Sequence, residues 1–412
     1  MRSLWWLFDV WRDAIDALLN LRGDGWAVGF DATTWLGTGA QPWNDWDFGR
    51  TMPTTFKQTN LISDGSVPAQ TTDPNLINPW GVAYGSVGTG GEFWISDAGT
   101  GLTSIDSVTS SGVMLNLFPA VTIPSATPGG GPSTPTGQVY NSFLTTGAFT
   151  LTDGLPATFL FATDDGAISG WNVSAHSQAI LMVNESTNPA NGSTVLGLGA
   201  VYKGLAIGDS SVGPTLYAAN FRHGTVDMFD QNFNQVKSFT DTNLPVGYAP
   251  FNVQVLDGKL FVTFALQDPM MRGDVAGAGH GFVDEFDLEG NLLQRVASGG
   301  PLDSPWGLAI APASFGTFAG DLLVGNFGDG TINAYDLNNN DEFVGKLTYA
   351  SGNPIVLPAL WELIPGNDSG GLGGNSSTIY FTAGLHNETH GLVGSLTANA
   401  TESWTAITGG FW

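Results

Sequence analysis

Apolar and polar residues alternate in short segments along most of the chain, and glycine-rich turns separate these segments. At 224–229 and 330–335, for example, apolar side chains recur at every second position. A period of two residues is typical of β-strands that bury one face. We therefore predict that residues 56–412 form many short strands with almost no helix.

The segments belong to an internal repeat. The sequence NFRHGTVDMFD at 220–230 nearly matches NFGDGTINAYD at 326–336, and NPWGVA at 78–83 matches SPWGLA at 304–309. These spacings correspond to two and four units of roughly 50 residues, and one register over the chain gives six units of four strands. The pattern predicts a six-bladed β-propeller with four-stranded antiparallel blades, whose radial closure protects the sheet edges.

The ring closes if one end of the chain completes a blade that the other end begins. Phe56–Ser63 precedes the first unit and is predicted to close the ring, with residues 404–408 as the competing strand. The first strand of each unit should line the axis. Because Trp80, Trp306 and Trp361 recur at one position of that strand, we predict that they pack between blades.

Residues 1–55 follow a different pattern. From about residue 4 to residue 21 the apolar side chains fall on one face of a helix, with aspartates on the opposite face. The apolar face includes Trp5, Phe8 and Trp11. We predict an amphipathic helix with a tryptophan-rich extension that contacts a protein partner, another copy of the chain, the propeller itself or a membrane interface. The aspartates interrupt the apolar run, so the segment does not resemble a signal peptide.

The charge balance excludes one class of partner. The chain contains 37 acidic and 12 basic residues, with a net charge of −25, and it has no lysine or arginine from Gln58 to Tyr202. Nucleic acid is therefore not a predicted partner, because phosphate binding needs cationic side chains. There is no run of 18 apolar residues, so no transmembrane segment is predicted. The absence of cysteine excludes disulfides and thiolate metal sites.

Three groups of residues could bind a ligand or a metal. Asn252 and Glu362 lie on first strands and should face the axis, where six-bladed hydrolases of the lactonase kind hold a divalent cation. The long segment between Met270 and His280, which includes Arg272, is either a ligand-binding loop or decoration. The third group offers oxygen atoms at alternate positions, so it is either a weak calcium site or a strand-connecting turn. It consists of Asp336, Asn338 and Asn340.

Several motifs resemble those of a known family. The segment LYAANF at 216–221, continued to Asp230, resembles an NHL-type blade, and residues 56–397 resemble an uncharacterised family of exported bacterial proteins whose members often carry PEP-CTERM sorting tails. The markers include DPNLINPWG at 73–81 and GDLLVGNFGDG at 320–330. This resemblance implies a bacterial protein that is exported to the cell surface or the extracellular space.

Two functions stay open from the sequence. The first is a non-catalytic exported binding or structural propeller, used in a cell-surface or extracellular assembly. The alternative is a calcium-dependent, lactonase-like hydrolase with its metal near Asn252 and Glu362. The sequence contains no Gly-x-Ser-x-Gly motif and only five histidines, which favours the first function.

Overall fold

The computed structural model describes residues 54–85, 91–109, 112–115, 119–127, 133–187, 198–368 and 371–399. The predicted N-terminal helix, its residues Trp5, Phe8 and Trp11, and the competing strand at 404–408 lie outside these ranges. Their predicted structure and partner contacts stay predictions.

The described strands form six sheets arranged as the blades of a propeller, and the strand pairs are antiparallel except for one short parallel pair in blade 6. Blade 1 contains β3 (Pro79–Ala83), β4 (Phe93–Asp97), β5 (Leu102–Thr109) and β6 (Gly112–Leu115), with β7 (Val121–Thr122) also paired to β5. Blade 2 contains β8 (Pro135–Tyr140), β9 (Phe159–Thr163), β10 (Ala167–Trp171) and β11 (Ile180–Asn184). Blade 3 contains β12 (Tyr202–Ser210), β13 (Gly213–Asn220), β14 (Thr225–Phe229) and β15 (Gln235–Phe239).

The second half of the ring repeats the same plan. Blade 4 contains β16 (Tyr248–Leu256), β17 (Lys259–Leu266), β18 (Phe282–Phe286) and β19 (Leu292–Ser298). Blade 5 contains β20 (Pro305–Ile310), β21 (Leu322–Asn326), β22 (Ile332–Asp336) and β23 (Glu342–Lys346). Blade 6 contains β24 (Leu360–Pro365), β25 (Ile379–Ala383), β26 (Leu392–Ala398), β1 (Phe56–Ser63) and β2 (Thr71–Thr72). Helical turns within the described residues are short, at Leu144–Thr146, Val173–Ala175, Ala313–Phe318 and Leu385–Glu388.

The two ends of the described chain meet in blade 6. Strand β1 pairs antiparallel with β26, from Phe56 opposite Ala398 to Ser63 opposite Leu392. The prediction that Phe56–Ser63 closes the ring is therefore confirmed. At the start of β1 the Phe56 ring packs against Phe315 of blade 5, with 4.8 Å between ring centroids. The closing strand is thus held by hydrogen bonds to one blade and by apolar contacts to the next.

The first strand of each blade is the innermost, and these six strands surround the axis. Near their starts, Trp80, Trp306 and Trp361 pack together across the axis. The centroids of Trp80 and Trp361 are 3.5 Å apart in a stacked arrangement, and Trp306 meets both edge-on. Phe251 of blade 4 joins them. The predicted packing between blades is confirmed, and we call these four residues the aromatic cluster.

The closing strand provides a test of the fold. Phe56 is 1% exposed, so Phe56→Ala should lower the free energy of unfolding by about 3–5 kcal/mol. Lys57→Ala changes the exposed neighbour on the same strand and should change it by less than about 0.5 kcal/mol. Chemical denaturation of both variants measures the difference, and equal stabilities would contradict a closing role for β1.

Candidate functional site

A cavity of about 440 Å³ lies on the propeller axis. Its wall is formed by the later residues of the six inner strands, so it opens at the end of the ring where first strands lead into second strands. Trp306 belongs both to the wall and to the aromatic cluster, which therefore forms the inner end. Most lining side chains are apolar. They include Val82, Val139, Leu205, Ile207, Val255, Leu308, Leu363 and Ile364.

Glu362 is the acidic group at the inner part of this cavity. It is 4% exposed. One carboxylate oxygen accepts hydrogen bonds from the Gln254 side chain at 2.7 Å and from the Leu363 N–H at 3.1 Å. The other accepts a longer one, 3.4 Å, from the Val82 N–H. Burial raises the pKa of Glu362 to about 8 despite these hydrogen bonds. Glu362 therefore stays protonated at pH values between about 4.5 and 8, at which carboxyl groups with ordinary pKa values are ionised.

Asn252 lies in blade 4, which blade 5 separates from blade 6, and its side-chain polar atoms bond to backbone groups. Its Nδ2 donates to the Trp306 carbonyl at 2.8 Å, and its Oδ1 accepts from the Val253 N–H at 2.8 Å. The first of these bonds joins the inner strands of blades 4 and 5, and the second lies within β16. The structure thus brings Asn252 and Glu362 to the same cavity, as predicted from their place on first strands. A metal ion near them stays a prediction.

Three further polar side chains line the cavity. Gln254 bonds Glu362 from across the axis, and Gln138 donates to the Gly81 carbonyl at 3.0 Å. The Tyr84 hydroxyl donates to the Pro365 carbonyl at 2.7 Å. Burial and then the charge of Glu362 raise the pKa of Tyr84, so this phenol stays protonated. These residues were not among the candidate site residues predicted from the sequence. Gln254 could have been found, because it is two positions after Asn252 and so shares its face of the strand.

Arg272 and His280 lie at the opposite end of the axis from the cavity mouth. Arg272 forms an ion pair with Asp164 of blade 2, which also pairs with Lys203 at 2.7 Å. The Lys203 ammonium lies 5.0 Å from the Trp80 ring centroid, so these charges cover the outer side of the aromatic cluster. His280 Nδ1 lies 2.8 Å from the Val275 carbonyl within the same loop. Neither residue lines the cavity that contains Glu362. Ligand binding by their loop stays a prediction.

The predicted calcium loop connects β22 to β23. Asp336 Oδ1 accepts from the Asn338 N–H at 2.9 Å, which is an Asx turn, and Asn340 has a positive φ of 54°. These features are those of a strand-connecting turn. Among the residues that the structure describes, no three histidine, cysteine, aspartate or glutamate side chains are grouped so that they could hold a metal ion. Calcium at Asp336, Asn338 and Asn340 stays a prediction.

Comparison with known proteins identifies relatives in a virus. No family model matches the chain. An uncharacterised protein of Acanthamoeba polyphaga mimivirus is 32% identical over 355 residues, 83% of this chain and 80% of the viral protein. A second uncharacterised mimivirus protein is 32% identical over 356 residues, 83% of this chain and 86% of that protein. The chain belongs to this mimivirus family.

The mimivirus family corrects two predictions. The resemblance to an exported bacterial family is wrong, because the family shown is viral. The predicted bacterial cell-surface or extracellular location is wrong for the same reason. Both predictions rested on short motifs such as those at 73–81 and 320–330, and motifs of a repeated blade do not specify an organism or a compartment. Within the described ranges, no helix is long and apolar enough to span a membrane.

Among solved structures, the PQQ-bound aldose sugar dehydrogenase of Streptomyces coelicolor is similar, with a TM-score of 0.47 and 12% identity. The match covers 84% of this chain and 99% of the dehydrogenase.

The pKa of Glu362 makes stability depend on pH. The group has a pKa of 4.5 when unperturbed and about 8 when folded, so the unfolded chain releases this proton first as the pH rises. The stabilising effect is complete below about pH 4.5 and is lost by about pH 8. Glu362→Gln cannot titrate. The wild type should therefore lose about 2 kcal/mol or more relative to Glu362→Gln between pH 5 and pH 8. Denaturation curves at several pH values measure this difference, and a constant difference would refute it.

Proposed function

We propose that this chain is a non-catalytic ligand-binding propeller whose axial cavity takes a small molecule, with Glu362 as the recognition group. The observation that supports the proposal is a buried carboxyl group, accompanied by a few neutral polar side chains, within a cavity whose walls are mainly apolar. Cavities of a few hundred Å³ that combine apolar walls with a few convergent polar groups are typical small-molecule sites.

The surroundings of Glu362 indicate the chemistry of the ligand. Its carboxyl group is hydrogen-bonded only by neutral donors, from Gln254, Leu363 and Val82. A protonated amine would supply the positive charge that these donors lack and would shift the carboxyl group to its ionised form. The apolar walls suit a hydrocarbon body. The expected ligand is therefore a compact, mainly apolar amine.

The lining argues for binding rather than catalysis. Among the described residues that line the cavity, the titratable ones are Glu362, Tyr84, Tyr140 and the exposed Asp257 at the rim. Tyr84 donates its proton to a backbone carbonyl, and no serine, histidine or lysine faces Glu362 in this lining. A side-chain nucleophile activated by an adjacent base needs two such groups in contact.

Ligand binding can be measured through tryptophan fluorescence, because Trp306 lines the cavity. A series of aliphatic and aromatic amines should be titrated at neutral pH beside alcohols and carboxylates of the same shape. The best amines should bind at least about tenfold more tightly than the matching carboxylates. Glu362→Gln should reduce amine affinity by about tenfold or more and leave the alcohols nearly unchanged.

Glu342→Gln is the matched control, because it changes an exposed glutamate on β23 and should bind amines like the wild type. Amine affinity that is unchanged in Glu362→Gln would refute the proposal. The same preparations should be tested with lactones and esters in the presence of calcium. Turnover that requires calcium and is lost in Glu362→Gln would favour the hydrolase instead.

A further inference from the structure

The seam between blades 1 and 6 contains buried oxygen atoms without partners. Asp97, the last residue of β4, is 0% exposed, and neither of its carboxylate oxygens has a hydrogen-bond partner. The Ser104 hydroxyl and one carboxylate oxygen of Asp106, both buried on β5, also lack partners. Buried polar atoms without partners are rare in folded proteins, and each one requires an explanation.

These three side chains share the face of blade 1 that meets blade 6. In the β4–β5 pair, Ser104 is opposite Ile95 and Asp106 is opposite Phe93. Directly opposed residues lie on the same face of a sheet. Phe93 packs against Tyr380 of blade 6 with 5.0 Å between ring centroids, which places Ser104 and Asp106 at this seam.

Nearby carboxyl groups interact with one another at the seam. Burial raises the pKa of Asp97 well above its ordinary value, and the charges of Asp106 and Asp73 raise it further. Burial and then Asp73 raise the pKa of Asp106 to about 7. Asp73 lies in the segment that connects β2 of blade 6 to β3 of blade 1. The acidic groups therefore come from both sides of the ring closure.

Two other blades have a different residue at the position of Asp97. Asn220 and Asn326 end the second strands of blades 3 and 5, as Asp97 does in blade 1. The Asn220 amide donates to Asp227 at 2.7 Å, and the Asn326 amide donates to Asp329 at 2.9 Å. A donor thus meets an acceptor in those blades. In blade 1 an aspartate replaces the asparagine, and Ser104 occupies the position of Asp227. The hydroxyl group of Ser104 is neutral, so a positive charge to balance Asp97 must come from elsewhere.

The chain offers little positive charge at this seam. There is no lysine or arginine from Gln58 to Tyr202, and none follows Lys346. Lys57 on β1 is exposed. Among the described histidines of blade 6, His390 is paired with Asp64 at 2.5 Å. No basic side chain of blades 1 and 6 is therefore positioned to neutralise Asp97 and Asp106.

We propose that Asp97, Ser104 and Asp106 form a binding site for a divalent cation, calcium, that joins blade 1 to the ring-closing blade 6. Carboxylate and hydroxyl oxygens are ligands for hard cations, and calcium accepts six to eight of them in irregular geometry, whereas magnesium requires a near-ideal octahedron. Among the described residues, no three acidic side chains are grouped so that they could hold a metal ion by themselves. In the proposed site the Ser104 hydroxyl group, backbone carbonyls and water are therefore the remaining calcium ligands. The cation supplies the charge that amides supply in other blades.

The experiment compares the full chain with and without calcium. Protein freed of metal with a chelator is titrated with calcium chloride, and bound metal and melting temperature are measured. We expect about one calcium ion per chain and a rise of about 5 °C at saturation. Magnesium at the same concentration should give a smaller rise. No bound calcium and no shift in the wild type would overturn the proposal.

Substitutions locate the ion. Asp97→Asn places the residue type of Asn220 at the equivalent position, so the variant should fold, melt higher than the chelated wild type and show no calcium-dependent shift. Asp336→Asn, at the β22–β23 turn, is the control and should keep the full shift. A shift retained in Asp97→Asn, or lost in Asp336→Asn or Glu362→Gln, would place calcium elsewhere and refute the site. If Asp97→Asn does not fold, Ser104→Ala tests the site instead. This variant should bind calcium about tenfold more weakly than the wild type, and an unchanged calcium affinity would refute the site.

Discussion

The fold depends on how closely the six inner strands approach one another at the axis. Glycine occupies the narrowest position in four blades, and a side chain there would collide with the next blade. A Cβ atom on Gly137 would lie 2.3 Å from the Leu205 nitrogen, and one on Gly307 would lie 2.5 Å from the Trp361 carbonyl. Only blades 4 and 6 carry side chains at this position, Asn252 and Glu362. Both must fit into the axis itself, which is why these two blades place a polar side chain at the narrowest position.

Scarcity of positive charge governs how the chain satisfies its buried carboxylates. Asp284 receives a rare arginine, Arg295, at 2.8 Å, and Glu362 receives the Gln254 amide together with a raised pKa. Asp97 has neither a basic side chain nor a side-chain amide as a hydrogen-bond partner. With 12 basic residues against 37 acidic ones, amides, protons and cations must balance the charge that lysine and arginine balance in most proteins.

The repeat made the fold predictable, because the same pattern of strands recurs in each blade. A strand that is hard to recognise in one unit can therefore be placed from its equivalents in the others. The axial place of Asn252, Glu362 and the recurring tryptophans followed from that register. The bond between Gln254 and Glu362 did not, because it crosses the ring and depends on side-chain direction. The unpaired Asp97 was missed for a similar reason: the missing donor is visible only after strand register aligns it with Asn220. The resemblance predicted the wrong compartment because the motifs that carry it belong to the repeated blades.

The two ends of the axis differ, and this difference decides how the cavity can be used. At one end the aromatic cluster closes the ring, and the Lys203–Asp164 pair covers it from outside. Lys203 stands where three other blades place tryptophan, so its ammonium lies over the Trp80 ring and adds a charged layer to the apolar one. Among the residues that the structure describes, the axis is therefore closed at this end and open at the other. A ligand of the proposed kind would enter and leave past the rim that carries Tyr84 and Asp257, so its access would depend on the turns between first and second strands and its recognition on Glu362.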